Sequence, residues 1–145
     1  MEIIKIENNT NDLRLLESFI LNIGEARKKF RYFEKRSLNI IGNHIVTVLV
    51  LNEQIPIGYG HLDKDGDKIW LGIAILPSCQ GKGIGNLIME KLIIEAKNNK
   101  ISEVMLTVDK DNLSAQNLYS KFNFRKIKDS EDVSFYKYLL TLKDE

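Results

Sequence analysis

Apolar positions repeat with two different periods along this chain, and the places where the period changes mark its predicted elements. Residues 2–7 (EIIKIE) read as a short strand, and Asn8, Asn9 and Thr10 then supply turn and cap chemistry. Leu13, Leu16, Phe19 and Ile20 follow at helical spacing. Gly24 interrupts that pattern, and residues 25–36, with Phe30, Tyr32 and Phe33 set among Arg27, Lys28, Lys29 and Arg31, predict a second and more basic helix. The β-branched run HIVTVLVL at 44–51, residues 55–63 and residues 68–76 are separated by Asn52-Glu53 and by Lys64-Asp65-Gly66-Asp67, which predicts a three-strand antiparallel meander. Pro77 and Ser78 end the third strand, since proline has no N–H to give to a ladder.

Beyond a glycine-rich turn at 80–85, the residues Ile84, Leu87, Ile88, Leu92 and Ala96 share one face of a helix that ends around Asn98-Asn99. A strand at 104–108, a helix at 112–122, a strand at 124–128 and an aromatic-rich strand at 133–142 complete the chain. The order β-α-α-β-β-β-α-β-α-β-β predicts a single α+β (α/β) domain over residues 1–145, with a mixed, mostly antiparallel sheet of six to seven strands and about four helices. A helix crosses over between the strand ending at Leu76 and the one at Val104, so those two strands should be parallel.

Composition narrows the choice of partners. At 145 residues the chain suits one domain with its own core, and 43% apolar with 28% charged residues is an ordinary soluble balance. The 21 basic and 20 acidic side chains leave a formal charge of +1, which gives no global field for nucleic acid or an anionic membrane. The single cysteine, Cys79, excludes an internal disulfide framework and a CxxC metal knuckle and suits a reducing cytosol, and no metal is expected. The opening MEIIKIENNT has no long apolar stretch before a small-residue cleavage site, so no export signal is expected. The longest apolar-rich stretch, 45–51, falls well short of the ~20 residues a spanning helix needs. A cytoplasmic protein without nucleic-acid or membrane partners is expected.

The turn Gln80-Gly81-Lys82-Gly83-Ile84-Gly85 carries the clearest chemistry. Three glycines at alternating positions let the backbone curl and aim several N–H groups at one point, and the turn runs straight into a helix whose first N–H groups lack partners. A phosphate or pyrophosphate fits such a place. A Walker A loop is excluded because Lys82 precedes Gly83, and the dinucleotide fingerprint finds Asn86 where its third glycine belongs. Taken alone, the turn could equally be a loop that leads the chain into a helix.

Two ordered motifs resolve this. Gln80-x-x-Gly83-x-Gly85, placed after a strand and Pro77, resembles the [RQ]xxGx[GA] signature of GNAT superfamily N-acetyltransferases. The segment from Asn112 through Ala115, Tyr119 and Lys121 to Phe124 is similar to that family's N-x-x-A-x-x-x-Y-x-K-x-G-F block. The element order matches across essentially the whole chain. There are two departures. Asn123 stands where the block has glycine, and asparagine tolerates a left-handed backbone. Gly72 stands where many relatives carry a glutamate as general base.

The resemblance implies an acetyl-CoA-dependent N-acetyltransferase working by direct attack of an amine. It places the thioester arm along Ile73, Ala74 and Ile75, the pyrophosphate on the turn formed by Gln80, Gly81, Lys82, Gly83, Ile84 and Gly85, and the pantetheine at Asn112 and Ala115. Tyr119 is implied as the acid for the departing thiolate. His61 is the favoured base, since it shares a pleat face with Tyr59 and Asp63, with a water relay, Asp63 or no dedicated base as alternatives. His44 shows no comparable setting, and Cys79, with no histidine near it in sequence, is read as a loop thiol. Phe30, Arg31 and Tyr32 are candidate acceptor contacts, suggesting an anionic amine such as an amino sugar nucleotide, although buried aromatics and solvated charges explain the same pattern. A protein or peptide amine remains an alternative acceptor, and a coenzyme A-binding module that has lost catalysis is the alternative outside enzymes. The aromatic strand at 135–138 could pair across a homodimer.

Overall fold

The computed structural model describes residues 1–127 and 134–142. Seven strands make one sheet: β1 Glu2–Lys5, β2 His44–Asn52, β3 Ile55–Asp65, β4 Lys68–Ile75, β5 Glu103–Asp109, β6 Arg125–Ile127 and β7 Phe135–Thr141. Their spatial order is β1-β2-β3-β4-β5-β7-β6, and every pairing is antiparallel except β4 with β5. Among the described residues three α-helices accompany the sheet: α1 Thr10–Asn22, α2 Ile84–Asn98 and α3 Leu113–Lys121. The mixed, mostly antiparallel sheet, the element order and the parallel crossover through α2 agree with the sequence expectation.

Local chemistry sets the key boundaries. Asn9 Oδ1 accepts the Asp12 N–H at 2.9 Å, and Asp12 Oδ2 accepts the Glu7 N–H at 2.8 Å, so the start of α1 is capped in both directions. Glu53 and Gln54 both have positive φ, at 50° and 68°, which makes the tight turn that sets Asn52 opposite Ile55. Glu95, buried on α2, takes ion pairs from Lys5 at 2.6 Å and Lys91 at 3.2 Å, tying the edge strand β1 to the helix.

The two faces of β3 do different jobs. Gly58 and Gly60 point at α2, and their lack of side chains lets the helix settle directly on the strand: a Cβ on Gly60 would stand 2.5 Å from Ile88 Cγ2 and 3.1 Å from Leu92 Cδ1. By alternation, Tyr59, His61 and Asp63 point to the α1 side, where Phe19 packs against Tyr59 with ring centroids 6.1 Å apart. Between β4 and β5 the ladder is a single position, Trp70 opposite Met105. Among the described residues no other ladder position joins the two strands, so the β4 backbone at 73–75 has no ladder partner on the β5 side.

Three expectations are corrected. Residues 25–36 do not form an α-helix; the chain takes short 3-10 turns at Gly24–Lys28, Tyr32–Glu34 and Leu38–Asn43. Gly24 leaves the helical path at φ 57°. Phe30 and Phe33 also reach Tyr59, at 5.2 and 5.5 Å between centroids, while Tyr32 reaches His61 at 4.4 Å. On an α-helix positions 30 and 32 would point to nearly opposite sides, so burying both against one sheet face requires another path. Next, β7 is not a free edge for a dimer, because it lies between β5 and β6 and is hydrogen-bonded to both. Finally, the third meander strand ends at Ile75, with Leu76 capping a 3-10 turn at Pro77–Cys79. The ends expected at Lys128 and Val133 lie outside the described residues. Among the described residues no helix is long and apolar enough to cross a membrane.

The packing of α2 on bare backbone makes a direct prediction. Gly60→Ala should cost about 1–3 kcal/mol through overpacking against Ile88 and Leu92, read as a lower urea midpoint at unchanged m-value. An unshifted midpoint would show that α2 does not rest on β3 in this way.

Candidate active site

Gly81 and Gly83 adopt left-handed backbone at φ 78° and 82°, and the space where a Cβ would stand is open at both. Gly83 is the N-cap of α2 and brings no side chain to cap it, so the first-turn N–H groups face outward with the positive end of the helix dipole. Gly85 has a different role. A Cβ there would stand 3.0 Å from Leu118 Cδ2, so its bareness lets α3 close on the turn. Ile84 is buried, while Gln80 and Lys82 are exposed. The turn thus presents an open cradle on a fixed base.

Next to this cradle, the unpaired stretch of β4 on the β5 side leaves a slot edged by Ile73, Ala74 and Ile75. Asn112 caps α3 with its Oδ1 accepting the Ala115 N–H at 3.3 Å, which brings these two residues together and leaves the Asn112 amide N–H donors for other partners. Tyr119 on α3 packs its ring 6.0 Å from Phe124 and 6.3 Å from Tyr138, whose backbone is opposite Leu106 of β5. Burial pushes the Tyr119 phenol well above its usual range, so it keeps its proton. No described residue hydrogen-bonds its oxygen. Because no fully buried side-chain oxygen or nitrogen of the described residues lacks a partner, this hydroxyl keeps slight exposure in a residue that is otherwise buried.

His61 is buried to 3% exposure and lies across the strand from Gly72. A Cβ on residue 72 would stand 2.5 Å from His61 Nε2 and 2.6 Å from Cε1, closer than real Cβ atoms come to anything. The imidazole therefore occupies the place a side chain at 72 would take. Its Nδ1 is 2.6 Å from Tyr59 Oη, while Nε2 has no partner among the described residues and so, by the same reasoning as for Tyr119, retains access to the notch over Gly72. Burial, then the nearby His44 and Arg36, push the His61 pKa well below 6.5, which keeps the ring neutral at pH 7.

The profile of the Acetyltransferase (GNAT) family matches residues 11–124, most of the chain. The chain belongs to the GNAT family. It is 34% identical over 98 residues, 68% of its length, to the N-acetyltransferase YobR of Bacillus subtilis, and 39% identical over 80 residues, 54% of its length, to a ribosomal protein bS18-alanine N-acetyltransferase of Haemophilus influenzae. The matches span 33% and 53% of those two proteins. Its fold is that of the GNAT domain of S. lividans PAT, with a TM-score of 0.82 at 16% identity, covering 97% of this chain and 89% of that one. A PaiA N-acetyltransferase from Thermoplasma acidophilum, in complex with coenzyme A, gives a TM-score of 0.76 at 21% identity, covering 97% and 98%.

Within this GNAT chain the structure brings Gly85 of the turn against Ile75 and against Leu118 of α3, and sets His61 beside Gly72. Asn123 holds its left-handed turn at φ 72°, as expected of asparagine there. The acceptor candidates separate. Phe30 and Tyr32 pack on Tyr59 and His61, whereas Arg31 is committed to its own chain: Nη1 donates to Lys28 O at 2.8 Å and Nη2 is 3.9 Å from Asp109 Oδ1. Beside them is a groove of about 400 Å³ lined by Ile20, Ile23, Arg27, Phe30, Phe33 and Glu34. The expectation that His44 lacks a comparable setting is overturned. Its ring lies 4.6 Å from that of His61 and hydrogen-bonds Tyr32 and Thr47. The tight turn at Glu53 and Gln54 was the available signal, because counting back from Asn52 opposite Ile55 sets His44 opposite Asp63.

Replacing Gly72 by alanine must move the His61 ring. The expected result is a His61 pKa that rises from its depressed value toward 6.5, followed by NMR titration, because displacement returns the ring to water. A titration identical to that of the parent protein would contradict the shared-space geometry.

Proposed function

We propose that this GNAT chain is an acetyl-CoA-dependent N-acetyltransferase, with the pyrophosphate at 80–85, the pantetheine along 73–75 and at Asn112, and the acceptor amine delivered to His61 Nε2 at the Gly72 notch. The observation that carries this reading is the bare position at 72 with an imidazole filling it, beside a slot where β4 has no partner. The residues fit coenzyme A: two left-handed glycines with open space above them, an uncapped helix N-terminus, and backbone amides that an extended pantetheine can pair with. Bound acetyl-CoA would supply the acyl group as an activated thioester.

The chain's own residues would manage the protons. In its neutral Nδ1–H tautomer, one of the two that the contact with Tyr59 Oη admits, His61 would present a lone pair at Nε2 to accept the proton of the attacking amine. Tyr59 is fully buried and His61 is its one hydrogen-bond partner among the described residues, so it holds one corner of the ring and offers no exit for the proton. Tyr119 keeps its phenolic proton and would give it to the leaving sulfur. His61 thereby replaces the carboxylate absent at 72, which favours an enzyme over a coenzyme A-binding module without catalysis.

The acceptor follows from the base. An imidazole of depressed basicity suits an amine that is itself weakly basic, with a pKa nearer the ~8 of an α-amino group than the ~10.4 of a lysine. A small amine of that kind, such as an amino sugar, is the first reading. Recognition through Arg31 loses support because that guanidinium is already engaged, and Arg36 lies over Tyr32 at 4.3 Å. The groove beside Phe30, with an apolar floor and both Arg27 and Glu34 at its wall, favours a peptide α-amine as the second reading.

Thiol release from acetyl-CoA across a panel of small amines and peptide N-termini tests this assignment. Turnover with a weakly basic amine, an acid limb of kcat below pH 6.5, and loss of that limb with a ~10²-fold lower kcat in His61→Ala are expected. Tight coenzyme A binding without turnover on any amine would instead mark a binding module. For Tyr119→Phe, kcat should fall while the dissociation constant for coenzyme A holds, and an unchanged kcat would remove Tyr119 as the acid.

A further inference from the structure

One hydrogen bond does not orient an imidazole. The Nδ1 contact to Tyr59 leaves the His61 ring free to swing about that bond, and Nε2 would then leave the notch at Gly72. What prevents this lies on the ring faces. The Tyr32 ring lies 4.4 Å from the His61 ring and the His44 ring 4.6 Å from it, at 53° and 50° to its plane. Tyr32 sits on a 3-10 turn that has no ladder to hold it, so it needs an anchor of its own.

The anchor is a chain of hydrogen bonds whose directions are all determined. Tyr32 Oη donates its proton to Asp63 Oδ2 at 2.8 Å. With its single proton used, that oxygen can only accept from His44 Nε2 at 2.7 Å, so His44 carries its proton on Nε2. Burial lowers the His44 pKa and favours the neutral ring, whose Nδ1 is then bare and accepts the Thr47 hydroxyl at 2.8 Å. The outer links stand on strands: Asp63 on β3, opposite His44 on β2, and Thr47 opposite His61 itself. Arg36 covers the Tyr32 ring.

We infer that Tyr32 is a positioning residue for His61: anchored by the chain from Asp63 through His44 to Thr47, its ring clamps the imidazole so that Nε2 stays in the notch over Gly72. The inference rests on the proposed role of His61 for its effect on turnover but not for its geometry. Phenylalanine at 32 keeps the ring and removes both hydrogen bonds. Leucine at 63 removes the acceptor, whereas asparagine keeps one and removes the charge.

Imidazole ¹⁵N NMR combined with kinetics of these variants provides the test. In the parent protein His44 is expected as the Nε2–H tautomer with a pyridine-type Nδ1. Tyr32→Phe and Asp63→Leu should lose this signature and Asp63→Asn should keep it. For Tyr32→Phe, kcat should fall at least about tenfold, part of what a positioned base contributes, with an unchanged KM for acetyl-CoA. An Nδ1–H tautomer at His44 in the parent, or a Tyr32→Phe enzyme with unaltered kcat and pH profile, would overturn the clamp. Absence of turnover in the parent on every amine would defeat the functional reading alone, since the tautomer and its response to the variants still decide the clamp.

Discussion

His61 Nε2 and a side chain at position 72 compete for the same space, and the architecture of the site depends on that exclusion. With glycine at 72 the imidazole reaches across from β3 and lies over the β4 backbone. The slot exists because the parallel strands β4 and β5 meet at only one ladder position, Trp70 with Met105. The crossover helix α2 connects them, and its N-terminus is the glycine turn. The bare position under His61, the proposed pantetheine slot and the proposed phosphate cradle thus all lie on one stretch of chain running from Gly72 to Gly85.

Packing on the two faces of β3 holds this arrangement in place. On one face, bare Gly58 and Gly60 let Ile84, Ile88 and Leu92 seat α2 directly on the strand, which sets where its N-terminus opens. On the other, Tyr59 and His61 are covered by Phe19, Phe30, Tyr32 and Phe33. Enclosing the histidine costs basicity, because burial disfavours the imidazolium. The same enclosure keeps it neutral, which is the ground for proposing an amine of low basicity.

Much of this was legible in the sequence where local physics decides the outcome. The meander, α2 and the glycine turn follow from alternation, turn residues and helical spacing, which act over a few positions. The Asn112–Tyr119 block placed α3 and the phenol. The segment after Gly24 was not legible, because its aromatic residues satisfy a helical spacing while their rings are drawn to one sheet face by contacts with Tyr59 and His61, distant in sequence. His44 was hidden for a related reason. Its partner Asp63 is set by strand register, and two irregularities, between Val50 and Leu51 and between His44 and Val46, cancel so that simple counting from the turn would have found the pair. Gly72 showed as a missing carboxylate, but only the cross-strand contact reveals what fills its place.

In the proposed function, one cleft from the turn at 80–85 to the slot at 73–75 receives coenzyme A next to His61. Backbone amide shifts followed during a coenzyme A titration test it most directly. The account expects Gly81, Gly83, Ile84 and the residues 73–75 to shift together at one affinity. Unmoved resonances there, with shifts confined to the groove of Ile20, Ile23 and Phe30, would contradict it.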